Sequence, residues 1–139
     1  MEHDRWELTE KVVGAMIQVH RQLGPGLLES TYESCLAEEL LCSELGFRRQ
    51  VPIAVHYRNA TIDCGYRADF VIEGCLLIEL KSVEALSSIH VAQVLTYLKL
   101  AELEVGLLVN FNALTIRSGL RRLTRRDRRG GARGQSAGR

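Results

Sequence analysis

Two carboxylates and a lysine stand on β-type segments of this chain, where a sequence so apolar has little use for charge. Arg67-Ala68-Asp69-Phe70 is followed, ten residues after the aspartate, by Glu79-Leu80-Lys81. In a strand, residues i and i+2 point to the same face. Glu79 and Lys81 therefore project together, and a tight return from the Asp69 strand brings the aspartate alongside. Two acids beside one ammonium are the minimum set for holding Mg²⁺ and activating a water molecule.

The elements that must position these groups can be read along the chain. Val12, Val13, Met16, Ile17, His20 and Leu23 recur at helical spacing, which predicts a helix over about Trp6 to Leu23. Gly24-Pro25-Gly26 breaks it, and a second helix is expected from about Leu28 to Leu45, with Leu36, Leu40 and Leu41 on its apolar face. Val51 to Tyr57, Ile62 to Ile72 and Cys75 to Lys81 read as three strands, turned at Asn59-Ala60 and Glu73-Gly74. Ser87 or Ser88 can cap a third helix that runs to about Glu102. Val105 to Phe111 is a continuous apolar run, as in a strand covered on both faces, and Leu114 to Leu123 is a weaker last strand. The order is ααβββαββ, which implies an α/β fold with a mixed central sheet flanked by helices.

Two helices carry further candidates. His90, Gln93 and Tyr97 stand at i, i+3 and i+7 of the third helix, opposite Val91, Val94, Leu95 and Leu98. Such a stripe can simply meet solvent, but its place directly after the Asp69/Glu79/Lys81 set favours a role at the site. Glu29 lies in the first turn of the second helix, where an acid suits the helix dipole without any further function. The glycine-proline-glycine loop before it allows a second reading, in which the helix start approaches another element closely, with Tyr32 on the same face.

Composition sets the frame. With 139 residues, 46% apolar and 25% charged, the chain has the size and make-up of one globular domain. No apolar run approaches the roughly 20 residues of a membrane span, and Met1-Glu2-His3-Asp4 does not resemble a signal peptide. A cytoplasmic location without membrane attachment is expected. Cys35, Cys42, Cys64 and Cys75 form no C-x-x-C pair and read as buried free thiols. Residues 1–120 hold 10 Lys+Arg against 16 Asp+Glu, whereas residues 121–139 hold 8 Arg against Asp127 alone, so −6 and +7 combine to the net +1. Residues 125–139 read as a disordered Arg/Gly-rich tail, able to contact phosphates or merely to stay solvated; residues 1–124 form the expected domain.

Gly26-x-x-Glu29-x-x-Tyr32 resembles the signature of the GxxExxY proteins, a bacterial and archaeal branch of the PD-(D/E)xK nuclease superfamily. The stretch His20 to Gly26 resembles the same family, as do Gly65-Tyr66-Arg67-Ala68-Asp69, Ile78 to Glu84, Ala92 to Lys99 and Gly106 to Phe111. The resemblance covers about residues 6–124. It implies a restriction-endonuclease-like core and a nuclease that hydrolyses DNA, single- or double-stranded, with Mg²⁺ or Mn²⁺. Asp69 and Glu79 would be metal ligands, the Leu80 carbonyl a third, and Glu29 would complete the shell. Lys81 would orient or deprotonate the attacking water and stabilise charge on the scissile phosphate. Gln93 and Tyr97 match the Q-x-x-x-Y element of the RecB-like branch, which positions the lysine and contacts DNA. His20 is a candidate further ligand; Tyr66 and Glu84 have no assigned role. The proline of the PD half is replaced by Ala68, which touches no catalytic atom. The alternative is a catalytically inactive nucleic-acid-binding or accessory module with the same fold. A core this small has no room for a sequence-reading domain, so strong specificity would require a homodimer or a protein partner.

Overall fold

Gly24 and Gly26 adopt φ of 67° and 102°, backbone that L side chains rarely take, and so end the first helix sharply. The computed structural model describes residues 2–125, with helix α1 over Glu2–Leu23 and α2 over Glu29–Cys42. Strands β1 (Phe47–Pro52), β2 (Val55–Tyr57), β3 (Ala60–Ile62), β4 (Arg67–Ile72) and β5 (Leu76–Lys81) follow. Helix α3 (Ser88–Ala101), β6 (Val105–Asn110), a single 3₁₀ turn at Arg117–Gly119 and β7 (Leu120–Thr124) complete the order.

The central sheet runs β1-β4-β5-β6-β7. Only β5 and β6 pair in parallel; the other neighbours are antiparallel. That parallel pair requires a crossover, and α3 provides it. Apolar alternation along the strands feeds two cores. Phe70, Ile72, Ile78, Leu80, Leu107 and Val109 pack under α1 and α2. Val71, Leu77 and Leu108 pack on the other face with Val94, Tyr97 and Leu98 of α3. The result is an α/β restriction-endonuclease-like core, with a mixed sheet between helices.

The expected element order needs correction at the sheet's edge. The strand anticipated over Val51 to Tyr57 is two strands, because β1 begins at Phe47 and ends at Pro52. Arg48 and Arg49 conceal its start from a hydrophobic reading, and an edge strand tolerates both arginines and a proline without an N–H. The strand anticipated over Ile62 to Ile72 likewise divides. Its first residues pair with β2 in a separate two-stranded sheet, turned at Arg58-Asn59 rather than Asn59-Ala60. The last strand starts only at Leu120, after the 3₁₀ turn.

Side-chain burial differs from expectation in two places. Leu41 is 59% exposed, because the buried stripe of α2 runs through Tyr32, Leu36, Ala37 and Leu40. The cysteines are free but none is buried: Cys42 and Cys64 are exposed, Cys35 and Cys75 half-buried. Arg125 is tied to Glu104 through its backbone N–H and a 3.0 Å ion pair. The remainder of the expected tail, 126–139, lies outside the described residues. No described helix is long and apolar enough to cross a membrane.

Candidate active site

Strands β4 and β5 pair through Phe70↔Ile78, Val71↔Leu77 and Ile72↔Leu76, and the ladder stops there. One step further the strands part, and two carboxylates fill the fork. The backbone N–H of Asp69 donates to Glu79 Oε1 at 3.0 Å, and the N–H of Leu80 donates to Asp69 Oδ2 at 2.8 Å. Each acid thus satisfies a backbone donor that the broken ladder leaves open. Lys81 Nζ lies 4.0 Å from Glu79 Oε2, on the same face of β5 as the alternation requires.

The other neighbour of Asp69 is irregular too. In β1, Arg49 pairs with Phe70 and Val51 with Ala68, leaving Gln50 opposite Asp69. Gln50 holds φ of 50°. The pleat reverses at this level. Phe47 and Phe70 belong to the α1/α2 core, yet Val51 and Ala68 belong to the α3 core. Residues two apart in a regular strand would share a face. The Gln50 Nε2 amide bridges Asp69 Oδ1 at 3.1 Å and Glu33 Oε1 at 2.9 Å, and Arg49 holds the same Glu33 at 3.1 Å. Neither Gln50 nor Glu33 was singled out by sequence reading. Glu33 directly follows Tyr32 of the signature, but no spacing rule links Gln50 to Asp69.

Crowding two acids at the mouth of a core has an electrostatic consequence. Burial, then the nearby Asp69 charge, pushes the Glu79 carboxyl up to about 8, although the Asp69 N–H and Lys81 pull the other way. Burial raises Asp69 as well, opposed by the Leu80 N–H and Gln50 and reinforced by Glu33 and Glu29. Near neutral pH the metal-free pair therefore keeps a proton, and the ionised form of both acids needs more positive charge than Lys81 alone supplies. A hard divalent cation with oxygen ligands suits such a donor set. Among the described residues, however, no group of three or more His, Cys, Asp or Glu is arranged to hold a metal ion. The fit is that of two carboxylates, with Glu29 close enough to act on both electrostatically while itself exposed.

The loop before α2 is held by its own signature residues. Tyr32 is fully buried, stacks on Phe111 at 4.7 Å, donates its hydroxyl to the Gly24 carbonyl at 2.6 Å and accepts from the Leu27 N–H. Ser82, next after Lys81, donates to the Leu27 carbonyl at 2.6 Å. The close approach of the helix start to another element is thus real, and the other element is the end of β5. Buried Asn110, opposite Lys81 in the β5–β6 ladder, bonds both the N–H and the carbonyl of Val83 and fixes the chain as it leaves the site.

Helix α3 supplies Tyr97, which is buried rather than part of a solvent stripe. Burial first, then Glu79, Tyr66 and Asp69, raise its phenol above the ordinary tyrosine range. Gln93 lies one turn earlier and is half-buried. His90 closes the start of α3, its Nδ1 accepting the Ser87 N–H at 3.0 Å. His20 is engaged with a loop: its Nε2 lies 2.9 Å from the Ala113 carbonyl oxygen. The structure thus brings Asp69, Glu79, Lys81 and Tyr97 together with Glu29 nearby, and gives His20 and His90 local partners.

The core is thus a mixed sheet opened at an acid pair, with Lys81 on the same strand face as Glu79. The model of the PD-(D/E)XK nuclease superfamily matches residues 6–123, and the chain belongs to that superfamily. No curated protein and no solved structure matches it significantly. Membership makes the chain a nuclease-type domain with a nucleic-acid substrate.

Proposed function

We propose that this protein is a Mg²⁺- or Mn²⁺-dependent deoxyribonuclease of the GxxExxY branch, hydrolysing DNA phosphodiester bonds. The observation that carries the reading is the reciprocal pair at the strand fork, Asp69 and Glu79, with Lys81 at 4.0 Å. Asp69, Glu79 and the Leu80 carbonyl would hold the cation, and Glu29 would approach from the start of α2. A bound cation would supply Lewis acidity and an activated water at neutral pH. Lys81 would orient the attacking water and offset charge on the phosphate. Tyr97 and Gln93 would position Lys81 and contact the DNA, the role that the Q-x-x-x-Y resemblance implies. His20, bonded to the Ala113 carbonyl, is kept as an outer candidate that would have to turn from its present partner.

A second reading, a nucleic-acid-binding module without turnover, draws on the lack of a preformed three-ligand group among the described residues. The two separate in one experiment. Purified protein is incubated with single- and double-stranded DNA and Mg²⁺ or Mn²⁺, beside Lys81→Ala, Glu79→Ala and an EDTA control. Cleavage that needs metal and falls by about 10²–10⁴ in both variants supports the enzyme. Binding with no cleavage under any of these conditions favours the module.

A further inference from the structure

The β2–β3 hairpin forms a two-stranded sheet separate from the central one. It springs from the end of the β1–β4 ladder that carries the site: Val51↔Ala68 and Pro52↔Arg67 are the last pairs, and the Ile53 N–H donates to the Tyr66 carbonyl at 2.9 Å. Asp69 is two residues along β4 from that root. The pairing Val55↔Ile62, His56↔Thr61, Tyr57↔Ala60 puts Val55, Tyr57, Ala60 and Ile62 on one face. Of these, Tyr57 is 61% exposed and Ile62 41%. A two-stranded hairpin with an apolar face in water is marginal on its own, so this face has the character of a contact surface.

Charge indicates what it contacts. Phe47 to Arg67 carries four arginines (48, 49, 58 and 67) against Asp63, net +3. The rest of residues 1–120 carries six basic and fifteen acidic side chains, net −9. Of these arginines, Arg49 is paired with Glu33 and Arg67 with Asp63, so Arg58 at the hairpin tip is the cation that the hairpin itself presents on an otherwise acidic body. At the tip, the Arg58 guanidinium stands 5.7 Å from the centroid of the Tyr57 ring. At the root, next to Arg67 and three residues before Asp69 along the chain, Tyr66 is 45% exposed and its ring lies 6.0 Å from that of Tyr97. Exposed rings with arginines, leading to a phosphodiesterase site, match the chemistry of unpaired nucleotides. Their base faces stack on aromatics and their phosphates meet guanidinium, whereas a duplex hides its base faces.

We propose that the β2–β3 hairpin, through Tyr57 and Arg58, and Tyr66 at its root form a binding surface for single-stranded DNA that leads the strand to the site. The proposal rests on the nuclease reading above for its substrate, but its test does not depend on cleavage. Binding of a fluorescent oligothymidylate of about 15 nucleotides and of a duplex of equal length is measured by anisotropy in a Lys81→Ala background. Tyr57→Ala is expected to weaken oligothymidylate binding about tenfold, Tyr57→Phe to restore it, and duplex binding to stay unchanged. Arg58→Ala should weaken it also. Equal loss on duplex, no loss in Tyr57→Ala, or a Tyr57→Phe variant as weak as Tyr57→Ala would each overturn the proposal. So would a Tyr57→Ala variant that merely dissociates a dimer, measured by sedimentation, with oligothymidylate affinity intact. Hydrolysis of bis(p-nitrophenyl) phosphate with Lys81 present, a substrate too small to reach the hairpin, reports separately on the nuclease reading and should be the same in Tyr57→Ala and wild type.

Discussion

Glu79 is where the chemistry of the site and the stability of the fold meet. Its carboxyl is held at about 8 in the fold against an ordinary value of 4.5, chiefly by burial. An acid whose folded value is raised binds its proton more tightly in the native state than in the unfolded chain. Stability is then highest below pH 4.5 for this group, and declines as pH rises from 4.5 to about 8. Asp69 is shifted in the same direction. Metal-free wild type should therefore lose on the order of 3 kcal/mol, or about 10 °C in Tm, between pH 5 and pH 8.5 relative to Glu79→Gln. Differential scanning calorimetry of the two proteins across that range is the check, and parallel curves would refute it. Adding Mn²⁺ or Mg²⁺ at pH 8.5 should raise the wild-type Tm and leave Glu79→Gln much less affected, since a ligand stabilises only the state that binds it.

Among the elements, the loop from Gly24 to Leu28 decides where Glu29 stands, and Tyr32 decides the loop. Its hydroxyl makes two bonds to that loop, at 2.6 and 3.1 Å, while its ring stacks on Phe111. Tyr32→Phe keeps the stack and strands a carbonyl and an N–H of a part-buried loop, so it should cost about 1 kcal/mol in urea denaturation. Cleavage should fall further than that loss alone would explain, because Glu29 is released; unchanged activity would remove Glu29 from the mechanism. The sequence already showed the Gly26/Glu29/Tyr32 spacing, the two strands bearing Asp69 and Glu79, and the crossover helix. These are strong periodicities bounded by glycine. What it concealed follows from physics that leaves no periodic mark. Arg48 and Arg49 mask an edge strand, and the pairs either side of Gln50 are the only trace of a pleat reversal at a left-handed glutamine. The polar bridge from Glu33 through Gln50 to Asp69 spans three elements, so no local pattern carries it. The alternation of Val51, Ile53, Val55 and Tyr57 is genuine, yet it crosses from the main sheet into a separate hairpin.

At the scale of the whole molecule, an acidic body must capture a polyanion. The basic stretch from Phe47 to Arg67 offers one handle, and residues 126–139 offer another: five arginines against Asp127. Truncation after Arg125 leaves the Arg125–Glu104 pair and the packing of both cores in place, so Tm and hydrolysis of a small phosphodiester should not change. If the tail meets phosphates, oligonucleotide affinity at low salt should drop. The slope of log K against log salt should also flatten by about 0.7 for each phosphate of a single strand that the tail had neutralised. A tail that only keeps the protein dissolved would leave the slope untouched and lower solubility instead. The slope decides between them because it counts displaced counterions and is indifferent to how well the core binds metal. Combined with Tyr57→Ala, the truncation should act additively on binding free energy if tail and hairpin hold different nucleotides. A shortfall from additivity would mean that both hold the same stretch of strand.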